Sequence, residues 1–133
     1  MAENMFDVRI ITPDRVFCEG EASMIEFNTT EGEIGVYKNH IPLTVVLKPG
    51  IVTITEDGGK REAAVHAGFA EILGDKVTLL AEVAEWPEEI DINRAKAAEE
   101  RARRRISEKA PGIDVARAEL ALMRSLTRQS LVG

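Results

Sequence analysis

The chain has 133 residues, of which 44% are hydrophobic and 30% charged, and a formal net charge of −6. That length suits one domain, or a small domain with an appendage, and excludes a multidomain enzyme. No apolar run approaches the ~18 residues of a membrane span, the opening Met1-Ala2-Glu3-Asn4 gives no expectation of a signal peptide, and the acidic balance argues against nucleic acid as a partner.

The net charge hides a division. Residues 1–88 hold 7 Lys and Arg against 16 Asp and Glu, a charge of −9, whereas residues 89–133 hold 10 against 7, a charge of +3. Eight of the ten glycines also fall in the first part. Two structural units are therefore expected, residues 1–87 and residues 88–133, meeting near Trp86-Pro87.

The first unit reads as strands. Phe6 to Ile10 alternates apolar and polar before Thr12-Pro13-Asp14 turns the chain. Val16 to Cys18 and Ala22 to Asn28 follow, the second ending at Thr29-Thr30-Glu31-Gly32. Leu43 to Leu47 stops at Lys48-Pro49-Gly50, and Ile51 to Thr55 runs into Glu56-Asp57-Gly58-Gly59, a hairpin signal because Asp and Gly tolerate positive φ. Glu62 to His66, Phe69 to Leu73 and Lys76 to Ala81 complete the set. With no helical pattern between the runs, the expectation is an N-terminal antiparallel β-sandwich, or flattened barrel.

The second unit reads as a C-terminal two-helix antiparallel hairpin. From Asp91 the sequence is rich in Ala, Glu and Arg, strong helix formers, and Asp91 is placed to cap the first helix. Ser107 to Gly112 breaks it, and Asp114 can cap a second helix running to about Leu131. One seam is predicted through Ala95, Ala98, Ala102 and Ile106, the other through Val115, Ala118, Leu122 and Leu126. Alanine buries little area, so docking is expected to contribute on the order of a few kcal/mol. Both helix starts read I-D-x-x-R-A, at Ile90 to Ala95 and at Ile113 to Ala118.

Catalytic patterns are sparse. His40 and His66 are the only histidines and lack metal-ligand spacing, and Cys18 is the only cysteine, as a reducing compartment permits. There is no G-x-S-x-G elbow and no phosphate-cradling glycine loop. A small sandwich enzyme using His40 and His66 is the weakest of the readings. The arginines carry more. Steps of four, three and four residues put Arg94, Ala98, Arg101 and Arg105 on one helix face, and Arg117, Ala121, Arg124 and Arg128 on another. Guanidinium groups suit phosphate oxygens, but such faces also serve as solvated surfaces making Glu–Arg pairs, as Glu100 with Arg104 would. Without interleaved aromatics, a nucleic-acid groove is not indicated.

Taken in order, five segments resemble the ε subunit of bacterial F-type ATP synthases: Val8 to Arg15, Glu31 to Leu43, Gly68 to Ile72, Val77 to Ala81 and Ile90 to Ala98. The resemblance implies a non-catalytic rotor subunit of the central stalk, with a β-sandwich against γ and the ring of c subunits. It implies association with the membrane only through the complex, on its cytoplasmic face. Loop residues matching Glu31 to His40 face the ring in that family, which makes Glu33 and His40 interface candidates, although Val-Tyr-Lys-Asn-His departs from the family's usual Pro-Gly before the histidine. The family's hairpin extends toward the α/β catalytic head to inhibit ATP hydrolysis, or folds on the sandwich. In some members ATP binds the folded form. Matching positions are Ile90, Asp91, Arg94 and Ala95 of the motif, Glu85 just upstream, and Arg101, Arg124 and Arg128. No cofactor is then required, and ATP is the expected regulatory ligand. The second motif, at Ile113, is expected to be only a helix start. A free-standing cytosolic nucleotide sensor is the alternative.

Overall fold

Phe6, Val8 and Ile10 all point into one core, and the strand they define, β1, spans Phe6–Thr12. The computed structural model describes residues 4–109 and 111–133. After β1 come β2 (Arg15–Ala22), β3 (Met24–Thr29), β4 (Gly32–Val36), β5 (Leu43–Val46), β6 (Gly50–Glu56), β7 (Gly59–Ile72) and β8 (Lys76–Glu85). They form one sheet in the order β2-β1-β8-β7-β6-β3-β4, with β5 also on β7.

The 14-residue β7 organises the sheet. Its first half pairs with β6 and its second half with β5, both antiparallel, so β5 and β6 run as one interrupted strand along the same edge. The chain bends where Ala67 and Gly68 take φ of 61° and 113°. On its other edge β7 pairs with β8. The sheet thus folds over, and Val8 and Ile10 of β1, Ile25 and Phe27 of β3, Val52 and Ile54 of β6, and Val77 and Leu79 of β8 share one core. This is the expected flattened sandwich.

Three details differ from the sequence reading. The pairing is not wholly antiparallel, since β1 and β8 run parallel, with Val8 opposite Val77 and Ile10 opposite Leu79. The two runs Glu62 to His66 and Phe69 to Leu73 form, as far as Ile72, the single bent strand β7. Glu31 to His40 is not all loop, because Gly32–Val36 is β4, paired with β3 from Ile25↔Val36 to Thr29↔Gly32.

Two helices follow, α1 (Ile92–Glu108) and α2 (Val115–Val132). Asp91 Oδ1 accepts from the backbone N–H of Asn93 and Arg94 at 3.0 and 3.1 Å. Asp114 Oδ1 accepts from Arg117 N at 3.1 Å. Both caps are those the sequence indicated. The seam is made of small residues seven apart: Ala95 and Ala102 of α1, Ala118 and Ser125 of α2, all buried. Leu126, expected there, is instead 40% exposed, and Ser125 occupies the seam with its hydroxyl donating to Leu122 O at 2.8 Å. Gln129 Nε2 donates across the hairpin to Glu99 Oε1 at 2.8 Å.

The hairpin lies folded against the sandwich, with α2 packed on β6 and β7. The connection is pinned by aromatic and cationic groups. Trp86 stacks on Phe17 with centroids 4.4 Å apart, Arg61 sits over Trp86 at 4.8 Å, and Arg15 sits over Phe17 at 5.0 Å. Arg15 also pairs with Glu89 at 2.9 Å, in the short 3-10 turn Pro87–Glu89.

Candidate functional site

Glu85 ends β8 and is held from two sides. Its Oε1 accepts from His66 Nε2 of β7 at 3.1 Å and from Arg128 Nε of α2 at 2.7 Å. Burial works against its charge, but the two hydrogen bonds outweigh that and keep the carboxyl below its ordinary value. His66 is fully buried, and burial lowers its pKa; the bond to Glu85 opposes this, and the Arg128 and Arg124 charges add to it. The imidazole is therefore neutral, and since an ionised carboxylate only accepts, Nε2 carries the proton.

Beside this pair opens a cleft of about 390 Å³ between the end of β8, the start of α1 and the last turns of α2. Its walls include Glu85, Asp91, Arg94, Ala95, Arg101 and Arg128. Six of the eight residues proposed from sequence thus come together. Ile90 does not line it; half-buried before the Asp91 cap, its N–H bonds Pro87 O at 3.2 Å. Arg124 lines a neighbouring, larger cleft of about 840 Å³ between the helices, with Arg101, Arg105 and Arg117. Arg101 and Ala98 border both clefts, so the two adjoin. The second I-D-x-x-R-A motif, expected to be only a helix start, contributes Ile113, Asp114, Arg117 and Ala118 to that wall.

The arginines divide into two groups. Arg128 is engaged by Glu85, Arg124 approaches Glu82 at 3.6 Å, and Arg103 and Arg104 make pairs with Glu99 and Glu100 along the helix. Among the described residues, Arg94, Arg101, Arg105 and Arg117 have no carboxylate within 4.0 Å. The solvated-face reading fits Arg103 and Arg104. The four unneutralised cations instead border these two adjoining clefts, an arrangement suited to an anion with several charged oxygens.

Glu33 and His40 occupy different settings. Glu33 lies on β4 and borders a shallow cleft with Pro49, Leu126 and Ser130, facing the hairpin. His40 is in the loop after β4, where its Nδ1 is 2.7 Å from Ile41 O, next to exposed Tyr37 and Ile41.

A surface that the sequence reading missed crosses the sheet. Val46, Phe69, Leu80, Ile11 and Val16 stand opposite one another in register on β5, β7, β8, β1 and β2. All but half-buried Ile11 are exposed, from 38% to 57%. The row spans about 19 Å of outer face. Only the registers, which no sequence pattern fixes, bring these residues into line.

Family models match both halves of the chain: the ATP synthase Delta/Epsilon chain beta-sandwich domain over residues 5–87, and the long alpha-helix domain over residues 88–132. The ATP synthase epsilon chain of Caldanaerobacter subterraneus subsp. tengcongensis is 44% identical over 132 residues, covering 98% of this chain and 96% of that protein. The epsilon chain of Brevibacillus brevis is 49% identical over 108 residues, covering 80% and 82%. Among solved structures, a chain of the Euglena gracilis mitochondrial ATP synthase, in an assembly of OSCP, F1 and c-ring, superposes with a TM-score of 0.84 at 25% identity, over 95% of this chain and 80% of that one. A Tetrahymena thermophila central stalk/c-ring chain shares the fold at a TM-score of 0.56 and 15% identity. With sandwich and hairpin both matched, and near-full-length relatives all of one kind, the chain belongs to the delta/epsilon family of ATP synthase subunits, among its epsilon chains.

Proposed function

We propose that the chain is a non-catalytic rotor subunit of the central stalk, seated against γ and the c-subunit ring at the cytoplasmic face of the membrane and coupling ion flow to ATP synthesis. Among the described residues no helix is long and apolar enough to cross a membrane; on this reading, attachment runs through γ and the c-subunit ring. The observation that carries the assembly reading is the apolar row from Val46 to Val16, since contiguous exposed apolar surface marks a protein interface. Leu80→Lys leaves the isolated chain folded and abolishes its co-purification with γ. Wild-type assembly by that variant moves the interface elsewhere. Failure of the wild-type chain to co-purify with γ favours the free-standing nucleotide sensor.

The hairpin supplies regulation. ATP occupies the adjoining clefts, from Glu85 past Arg94 and Arg101 to Arg124, holding α1 and α2 folded on the sandwich. When ATP falls, the hairpin extends toward the α/β head and inhibits hydrolysis. A ligand that binds only the folded form stabilises it by RT ln(1 + [L]/Kd), about 2.7 kcal/mol at a hundredfold excess over Kd. Weighed against docking that rests in part on the Arg128–Glu85 and Arg124–Glu82 pairs, that shifts the balance of states about a hundredfold. Calorimetric titration of the chain with ATP, against ADP and GTP, tests this: selective ATP binding is expected, weakened in Arg124→Ala. Unchanged affinity in that variant removes Arg124 from the site, and no binding in the millimolar range leaves the arginines as contacts for γ and the head.

A further inference from the structure

His66 sits fully buried in the middle of β7, yet it keeps a single polar contact. Its Nε2 donates to Glu85 Oε1 at 3.1 Å, while Nδ1 is buried with no partner. As filling for a core this is poor, because an apolar side chain of similar size would leave no nitrogen desolvated and unpaired. What the imidazole does provide is a fixed donor beneath a carboxylate that the hairpin uses. The same Oε1 takes Arg128 Nε at 2.7 Å, and among the described residues no donor is bonded to Oε2. Glu85 and Arg128 face each other across the cleft that Asp91, Arg94 and Arg101 also border.

We propose that His66 is a positioning residue: its Nε2–H fixes the Glu85 carboxylate, Glu85 fixes Arg128, and α2 is thereby held over the cleft with its guanidinium groups in place. The ligand half of this inference rests on the nucleotide reading above; the docking half does not. A site assembled beforehand binds more tightly because less ordering remains to be done on binding.

The chemistry also gives the device a pH response. The charged groups around His66 are Glu85 on β8 and Arg124 and Arg128 on α2, with Glu82 beside Arg124. The neighbouring register positions on β6, Gly50 and Ile51, carry no charge. Protonating the ring adds a cation next to two arginines, and burial already holds it below 6.5. The contribution of His66 to docking is therefore fully present above that value and weakens as pH falls below it.

The test uses the full chain with Cys18→Ser, and spin labels at exposed Glu62 of β7 and exposed Ser130 of α2. Inter-label distance and ATP affinity are measured between about pH 7.5 and 5.5, a window around the histidine value. The wild-type distance is short and lengthens toward acid. His66→Leu adds a long-distance population at neutral pH and raises the ATP Kd about tenfold, the scale of losing a hydrogen bond to a charged group. His66→Gln, which restores a donor and cannot titrate, keeps both near wild type and flattens the pH profile. Wild-type distances in His66→Leu, or equal damage from Leu and Gln, overturn the proposal. If His66→Leu does not melt cooperatively, the Gln variant decides, and an unflattened profile there overturns the proposal as well. If the wild-type chain binds no ATP, the nucleotide reading falls and the distances alone judge His66.

Discussion

At Gly68 the backbone takes φ +113°, and an added Cβ would stand 2.0 Å from the Leu80 carbonyl oxygen and 2.9 Å from Ala81 Cα. Those atoms are backbone of β8, which cannot yield without losing its ladder. Gly68→Ala therefore destabilises the sandwich by about 3 kcal/mol or more, read as a lower urea midpoint with an unchanged slope. Its neighbour gives the opposite sign. Ala67 holds φ 61° as an L-residue, which costs about 1–2 kcal/mol, so Ala67→Gly stabilises by the part that the looser unfolded chain does not take back, about 0.5–1 kcal/mol. A shift of midpoint in the other direction would show that the bend is held by something other than the backbone at Ala67. Sequence alone marked this spot as a gap between strands, because a glycine between apolar runs reads the same at a turn and at a bend. Glu85 became visible only through the family resemblance. His66 carried no signal, since nothing local tells a core histidine from one placed under a carboxylate on another strand.

Elements whose determinants lie within a few residues were legible. Both helices announced themselves through Asp91 and Asp114 and an interior free of Gly and Pro, and both caps form as those residues imply. What depends on distant partners was not. Gly32–Val36 has two glycines and a glutamate in five residues, and becomes β4 because β3 supplies its hydrogen bonds. The β1–β8 parallel pair joins residues about seventy apart, a register no local pattern encodes. Likewise the seam favours Ser125 over Leu126, because a seven-residue repeat with Ala118, and not hydrophobicity, selects which side chain faces α1. That seam predicts its own weak point. Ala102 is 3% exposed between the helices, and Ala102→Leu forces them apart. The hairpin loses about 1–3 kcal/mol, a cost typical of overpacking. Hydrogen exchange would show faster exchange of α1 and α2 amides with the sandwich amides unchanged. Equal protection in both helices would mean that the seam has room the side chains do not reveal.

Across the whole molecule, an acidic sandwich of charge −9 up to residue 88 holds a basic hairpin region of charge +3. The contacts that join them repeat that division: Glu85 with Arg128 at 2.7 Å and Glu82 with Arg124 at 3.6 Å. Glu82 is largely exposed, and an exposed pair contributes about 0–1 kcal/mol that salt screens. The small-residue seam joins the helices to each other. Docking thus has an electrostatic part, added to the packing of α2 on β6 and β7, whereas the sandwich rests on a common apolar core. Salt and acid should therefore release the hairpin without unfolding the sandwich. Raising ionic strength from about 0.05 to 0.5 M shortens the screening length to a few ångströms and lengthens the distance from sandwich to α2, read by energy transfer between attached dyes. Acid acts in the same direction through Glu85. Its folded value lies below the ordinary 4.5, so its contribution is fully present above that and is lost as pH falls through the depressed value, the loss from His66 having begun higher, below 6.5. The sandwich melting temperature should change little over the salt range, because apolar burial is not screened. A distance indifferent to salt would mean that apolar contact by Leu126 and its neighbours against Pro49 and Ile51 holds the hairpin, and the pool of extended chains would then be set by ligand alone.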